Sequence, residues 1–408
     1  MTLQMTNPAI RAGGAETFFK LALAAGILVA CLEVGYLVAS PLPYDMVGYL
    51  VGRDFVNTWL GAKLALTGDP SPYFGIEAYR KLLAEYFGPN YPLHIWSYPP
   101  HLLLFTWPLG FMPYMPAYIL YSALGMIVYL LVVRDSERRA DHLLLLALAP
   151  AATLNIWTGQ NGFFTAALLI GGLLQLDRRP VFAGVLFGLL SIKPQLGVLL
   201  PLMLAMTGRW RTIASAAATI VVLFGLTSLA FGSNVWPAYW YDAMPTQSKV
   251  VFGVFQHYMV HMPTAYMNAR VAGLSTPAAL AIQGVMSAIT LAAVVWTYWR
   301  RRDPVLSQSL FLTAAFSVTP YAFNYDMCPF GWVILKLMER DDNKAWDYAI
   351  LLAVWVVPFL TVPMGIALLP LSCVPIFALV GRLVWRMWAK ERNAHPTARR
   401  LDAAPAAG

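Results

Sequence analysis

Apolar stretches long enough to cross a bilayer recur along the whole chain, and no other feature limits its fold so strongly. A bilayer-spanning helix needs roughly 20 mostly apolar residues. Such stretches fall near 18–40, 115–133, 142–158, 162–176, 212–231, 279–299, 306–320, 345–361 and 363–388, with shorter ones at 101–112, 181–192, 194–207 and 326–338. Together they predict an all-α polytopic membrane protein, a bundle of about 11–13 transmembrane helices. Composition agrees, since 59% of the 408 residues are hydrophobic and 12% charged, with a mean hydropathy of +0.60; a soluble globular domain is excluded. Residues 1–392 read as one transmembrane domain, and 393–408, with its alanines and prolines, as a disordered cytoplasmic tail. The first apolar segment is long enough to span and lacks a small-residue cleavage pattern at the usual distance, so it reads as a retained anchor.

The net charge of +8 is gathered at the ends of apolar segments, so membrane topology accounts for it and no nucleic-acid partner is implied. Cationic clusters at Arg134, Arg138 and Arg139, at Arg178 and Arg179, at Arg209 and Arg211, at Arg300 to Arg302, and from Arg382 to Arg400 are assigned to the cytoplasm. Arg382 to Arg392 would meet anionic membrane lipid there. The segments between are poor in cations and face outward: 41–100, the turn Thr158 to Gly162, the break at Lys193-Pro194, 232–278, and Thr319 to Asp326. Two of these, 41–100 and 232–278, are large extracytoplasmic loops. Residues 101–133 must then cross an odd number of times, and Pro108, Pro113 and Pro116 point to a broken or re-entrant piece there. Cys31, Cys328 and Cys373 lie in or beside apolar segments without metal spacing.

Within the first outer loop, Phe55 to Thr67 reads as a helix with Asp54 at its entry, and Ile76 to Phe87 as an amphipathic helix ending at Gly88. Asp54 has two readings. It can cap the helix, with Arg53 as a surface ion pair, or it can be a general base for a hydroxyl carried by a membrane-bound substrate. The local pattern does not choose between them.

The wider chain resembles glycosyltransferase family 87, integral membrane mannosyltransferases of the GT-C type that use a polyprenyl-phosphate sugar. The matching pieces are Asp54-Phe55 continuing as NTWLGAKLALTGDPSPYF, Tyr98-Pro99-Pro100 followed by an apolar run and Pro108-Leu109, Gly159-Gln160-Asn161, and AGVLFGLLSIKPQ followed by GRWR. They cover roughly residues 50–215 in order. The resemblance implies transfer of a sugar, mannose by family habit, from a lipid-linked phosphate to a hydroxyl of a glycolipid or envelope glycan, with inversion at the anomeric carbon. An inverting displacement needs one carboxylate to take the acceptor proton. The resemblance puts that carboxylate in the first outer loop, at Asp54, with the site on the extracytoplasmic face of the cell membrane.

The leaving phosphate needs cations or N–H donors rather than an acid. Lys193 is the first candidate, because an intramembrane lysine costs at least ~2.5 kcal/mol unless paired or wet. The alternative is that it snorkels to the outer interface. His257 and His261, four apart, are candidates for the phosphate, and the missing glutamate argues against zinc; Arg53 and Arg270 are further candidates. Gln160 and Asn161 either contact substrate or satisfy helix ends. Tyr98 is either an interfacial belt residue or a sugar-stacking one, and Asn324 and Asp326 are candidates to read sugar hydroxyls. Glu33, inside the first apolar segment, would face a polar cavity or pair with Arg53.

No glycine-rich phosphate loop follows a strand, which argues against a nucleotide-sugar donor and an ATP-driven transporter. No Asp-x-Asp accompanies Asp54, so metal-independent transfer without a cofactor is expected. The reading from another class is a secondary transporter or a flippase for lipid-linked sugars, built on the broken segments near 181–207.

Overall fold

The computed structural model describes residues 8–401 apart from 93, 254–259 and 301. Its regular structure is helical, with one isolated antiparallel bridge between Tyr44 and Leu50. Five helices have the length and apolar character to cross a membrane: Gly13–Ala39, Tyr114–Arg134, Trp210–Phe231, Thr276–Trp299 and Ala345–Ile366. The pair Ala140–Ala147 and Pro150–Thr158, bent by 48°, makes a sixth if it is one span. Its second piece starts at Pro150, which has no N–H to continue the ladder. The chain is thus an all-α polytopic membrane protein. The expected 11–13 spans are reached only if shorter helices cross too. Gly162–Gln175 has 14 residues, which at 1.5 Å each cover about 21 Å of a ~30 Å core.

Hydropathy alone does not separate lipid-facing helices from central ones, because both are apolar. The structure does. Pro304–Ser317 and Cys328–Met338 bury nearly every side chain, whereas Trp210–Phe231 buries only Thr212, Leu223, Thr227 and Phe231. Short helices thus form the centre, and longer ones present their apolar faces outward. The last helix, Val374–Leu401, runs past the boundary at 392 that composition suggested, and 402–408 lie outside the described residues.

The segment that carries Lys193 is held by close backbone packing. A Cβ at Gly184 would lie 2.5 Å from the Thr212 carbonyl oxygen, and one at Gly188 would lie 2.8 Å from that of Ala216. Small residues four apart let the helix Pro180–Leu189 touch the helix Trp210–Phe231 backbone to backbone. Thr212 Oγ1 donates to the Pro180 carbonyl at 3.0 Å and Ser215 Oγ to that of Val181 at 2.8 Å. Beyond Leu189 the chain tightens into a 3₁₀ turn, Leu190–Ile192, and breaks at Lys193. Pro194 forces the residue before it out of the helical region, and Lys193 sits at φ −136°, ψ 75°.

The loops sort into two groups by their contacts. At one end Gln175 meets Asp135, Arg139 meets Glu339, Arg340 and Lys390 both meet Asp303, Arg302 meets Glu391, and Arg382 meets Asp347. These carry the clusters assigned to the cytoplasm. At the other end the segments assigned outward meet: Asp54 N–H donates to the Thr158 carbonyl at 3.1 Å, Asn324 N–H to that of His261 at 3.0 Å, and Lys193 pairs with Asp326. The odd crossing of 101–133 is met by one helix, Tyr114–Arg134. The prolines before it confine 100–111 to short turns, and Gly110 packs on the Ala62 carbonyl.

A β-branched side chain at Gly184 would push against the Thr212 carbonyl oxygen and the Ser215 Cβ, neither of which can swing aside. Gly184→Val should therefore lower stability by about 1–3 kcal/mol, read as a drop in the thermal unfolding midpoint of the detergent-solubilised protein; an unchanged midpoint would contradict this packing.

Candidate functional site

Asp54 begins the helix Phe55–Ala65 but does not cap it. Its carboxylate makes no hydrogen bond to the first turn, so the capping reading is corrected. Oδ2 instead accepts the Gln160 side-chain amide at 2.8 Å, across 106 residues of sequence. Gln160 Oε1 in turn accepts the Tyr98 hydroxyl at 2.8 Å. The carboxyl side chain is 37% exposed, while Gln160 and Tyr98 are buried. Tyr98 is therefore not a lipid-interface residue. Burial pushes its phenol well above the ordinary range, and the charge of Asp54 adds to this.

Two glycines bring these parts together. Gly159 ends the helix Pro150–Thr158 at φ 62°, a left-handed cap that glycine adopts without penalty. A Cβ there would fall 2.4 Å from Phe55 Cβ and 2.7 Å from the Gly52 carbonyl oxygen. Gly52 has φ 87°, and Arg53 follows at φ 30°, a left-handed conformation unusual for a non-glycine residue. Its guanidinium is held on Asp45 by Nε at 2.9 Å and by a terminal nitrogen at 2.7 Å. Asp45 Oδ1 also accepts Val47 N–H and Tyr49 N–H. Of the two alternatives for Glu33, the pair with Arg53 gives way to the one between Arg53 and Asp45; Glu33 lies beside Thr153.

His94 was not singled out by the sequence, yet its Nε2 lies 4.0 Å from Asp54 Oδ1. Its Nδ1 is 3.1 Å from the Pro92 carbonyl, which can only accept, and the Arg53 backbone and the Asp54 carboxylate also face the ring. The ring stacks on Tyr91 and meets Tyr49 edge-on. The signal was a lone histidine in the aromatic run 91–98 of an outer loop. Asp45, equally missed, has no such signal.

Lys193 is buried rather than snorkelling. Its Nζ contacts Asp326 Oδ1 at 2.5 Å, with side chains 6% and 0% exposed, and lies over the Tyr325 ring. Asp326 Oδ2 accepts Phe323 N–H. Asn324 donates to the Pro358 carbonyl and accepts from Tyr325 N–H, so the polar atoms of both residues are engaged by protein. Asn161 is 2% exposed, with neither end of its amide hydrogen-bonded. Arg270 donates to the Leu274 carbonyl at its own helix end. The carbonyl of His261 accepts from Asn324, and His257 lies outside the described residues.

Among the described residues, one group of three has metal-ligand spacing: Glu137, His142 and Glu339, at the opposite end. The two His142 nitrogens face different carboxylates, at 3.2 and 3.6 Å, and Lys336 and Arg139 balance the charge.

Two outcomes follow from these environments. Removing one partner of a buried ion pair strands the other, so Lys193→Met should cost about 3–5 kcal/mol, and Lys193→Met with Asp326→Asn should recover most of it in detergent thermal melts. Burial holds the His94 imidazole below its ordinary value, against the pull of Asp54. The unfolded chain then takes up the proton first, so the stability due to neutral His94 is complete above about pH 6.5 and is lost as pH falls below it. His94→Gln should flatten the acid side of a midpoint-against-pH curve, and an unchanged curve would show that His94 does not set it.

No curated protein and no solved structure matches the chain. The family model described as glycosyltransferase family 87 matches residues 96–320. That span holds Tyr98, Gln160, Asn161, Lys193 and Arg270, while Asp54 and His94 lie before it. Since the match covers more than half of the sequence, the chain belongs to glycosyltransferase family 87.

Proposed function

We propose that this glycosyltransferase moves a sugar, mannose first among the choices, from a polyprenyl-phosphate donor to a hydroxyl of a glycolipid or envelope glycan, at the extracytoplasmic face of the cell membrane. The observation that carries the reading is the state of Asp54: a carboxylate with one oxygen held by Gln160, open to its surroundings, and released from any capping duty. Its orientation is argued from charge, because the cation-rich clusters meet at the other end of the bundle.

In the proposed reaction the acceptor oxygen attacks the anomeric carbon from the face opposite the phosphate. Asp54 takes the hydroxyl proton, and the bond to the phosphate oxygen breaks with its electron pair going to the phosphate. The phosphate leaves as an anion, so what assists it is positive charge. Arg53, with its side chain 27% exposed and its charge shared with Asp45, is within one residue of the base. Lys193 is closed in by Asp326 and Tyr325.

Membranes containing Asp54→Asn, supplied with polyprenyl-phosphate mannose and a membrane lipid extract as acceptor, should lose transfer by about 10²–10⁴-fold at normal protein level. Unchanged transfer would reject Asp54 as the base. Transfer from a different polyprenyl-phosphate sugar alone would keep the mechanism and correct the donor.

A further inference from the structure

The hydrogen bonds around Asp54 run in one direction, and that direction carries a consequence for the reaction. A glutamine amide can be turned either way about its last bond. In one orientation Gln160 Oε1 faces the Asp54 carboxylate, two acceptors in contact. In the other, Nε2 donates to Asp54 Oδ2 at 2.8 Å while Oε1 accepts from the Tyr98 hydroxyl at 2.8 Å. The Asp54 carboxylate, which can only accept, selects the second, and Tyr98, kept protonated by burial, has the hydrogen that completes it.

Neither residue has freedom to drift. Gln160 N–H donates to the Asn155 carbonyl at 3.1 Å, directly after the Gly159 turn. Tyr98 meets Trp96 edge-on, and Trp96 stacks on Phe74 at 5.3 Å. Gln160 and Tyr98 are 7% and 6% exposed, so they reach Asp54 and each other but present little surface to a substrate. Gln160 holds Oδ2, and the oxygen with no hydrogen bond among the described residues is Oδ1, on the side of His94.

We infer that Gln160 is a positioning residue that fixes the Asp54 carboxylate with Oδ1 turned toward the acceptor hydroxyl, and that Tyr98 is a second positioning residue acting only through Gln160. This rests on Asp54 being the base, and it takes Gln160 and Tyr98 out of the set of substrate contacts. A base that swings by about 1 Å loses on the order of 10²-fold in rate, and the loss falls on turnover rather than on substrate binding.

The test uses the full chain in membranes, with polyprenyl-phosphate mannose as donor and a membrane lipid extract as acceptor, comparing Gln160→Ala, Tyr98→Phe, the double variant and Gln160→Glu. Gln160→Ala and Tyr98→Phe should each lower kcat by about 10–100-fold with the donor KM within about threefold of the parent. The double variant should be no worse than Gln160→Ala, because a residue that acts through another adds nothing once the other is gone. Gln160→Glu should move the acid limb of the pH–rate profile upward, since a second carboxylate disfavours the ionised base; a packing role would not move it. Tyr98→Phe keeps the ring and its packing, so it remains informative if Gln160→Ala fails to fold. Losses confined to KM, losses that multiply in the double variant, or a fully active Tyr98→Phe would overturn the inference. An active Asp54→Asn would instead overturn the parent reading, and an inactive one beside an unimpaired Gln160→Ala would overturn this inference alone.

Discussion

A carboxylate that is to act at a membrane surface has to be held by parts of the chain far apart in sequence, and here the joint is the contact between Gly159 and Phe55. Any Cβ at 159 would enter the space of Phe55 and of the Gly52 carbonyl. Because glycine is there, the Asp54 N–H reaches the Thr158 carbonyl, and the side chain of the next residue but one, Gln160, reaches the carboxylate. The outer loop is thereby fastened to the end of a membrane helix, Pro150–Thr158. The same helix reaches inward, where Asn155 donates to the Tyr325 carbonyl and accepts from Gly162 N–H. The Asp54 carboxylate, the turn and the Asn324–Met327 segment are thus one connected polar layer above an apolar bundle.

Much of this was legible from local pattern. The amphipathic helix Ile76–Phe87 is where its spacing put it and buries Tyr79, Leu82 and Leu83; the helix after Asp54 starts at Phe55 and ends at Ala65, slightly short of the expected Thr67. The break at Lys193 followed from Pro194. Local signals end at the backbone, however, and the site is made of pairs. Lys193 and Asp326 are 133 residues apart; the first alone reads as a costly intramembrane charge and the second as an outer-turn carboxylate, with no hint of the pair. Asp45 reads as an ordinary loop acidic residue until Arg53 turns onto it. Counting spans meets a related limit: a short helix buried among others and one facing lipid have the same hydropathy, and only their neighbours distinguish them.

Under the proposed reaction, the charges near Asp54 bear on the departing phosphate. Both nearby cations already have carboxylate partners, so neither is a free counter-ion waiting for a substrate. They are not equivalent. Lys193 spends its ammonium on Asp326 in a site 6% exposed, where admitting a phosphate would require opening the pair. A guanidinium has five N–H donors in a fixed fork, and Asp45 engages Arg53 through Nε and one terminal nitrogen. The guanidinium carbon lies 5.3 Å from the Tyr49 ring centroid and 5.9 Å from that of Trp157, with 27% of the side chain exposed. The left-handed backbone at Arg53, φ 30°, costs on the order of 1–3 kcal/mol, and the Asp45 pairing offsets it. The strained turn directs Arg53 back onto Asp45 while Asp54 meets Gln160, so one dipeptide offers a fixed cation and a fixed carboxylate to the same end of the bundle.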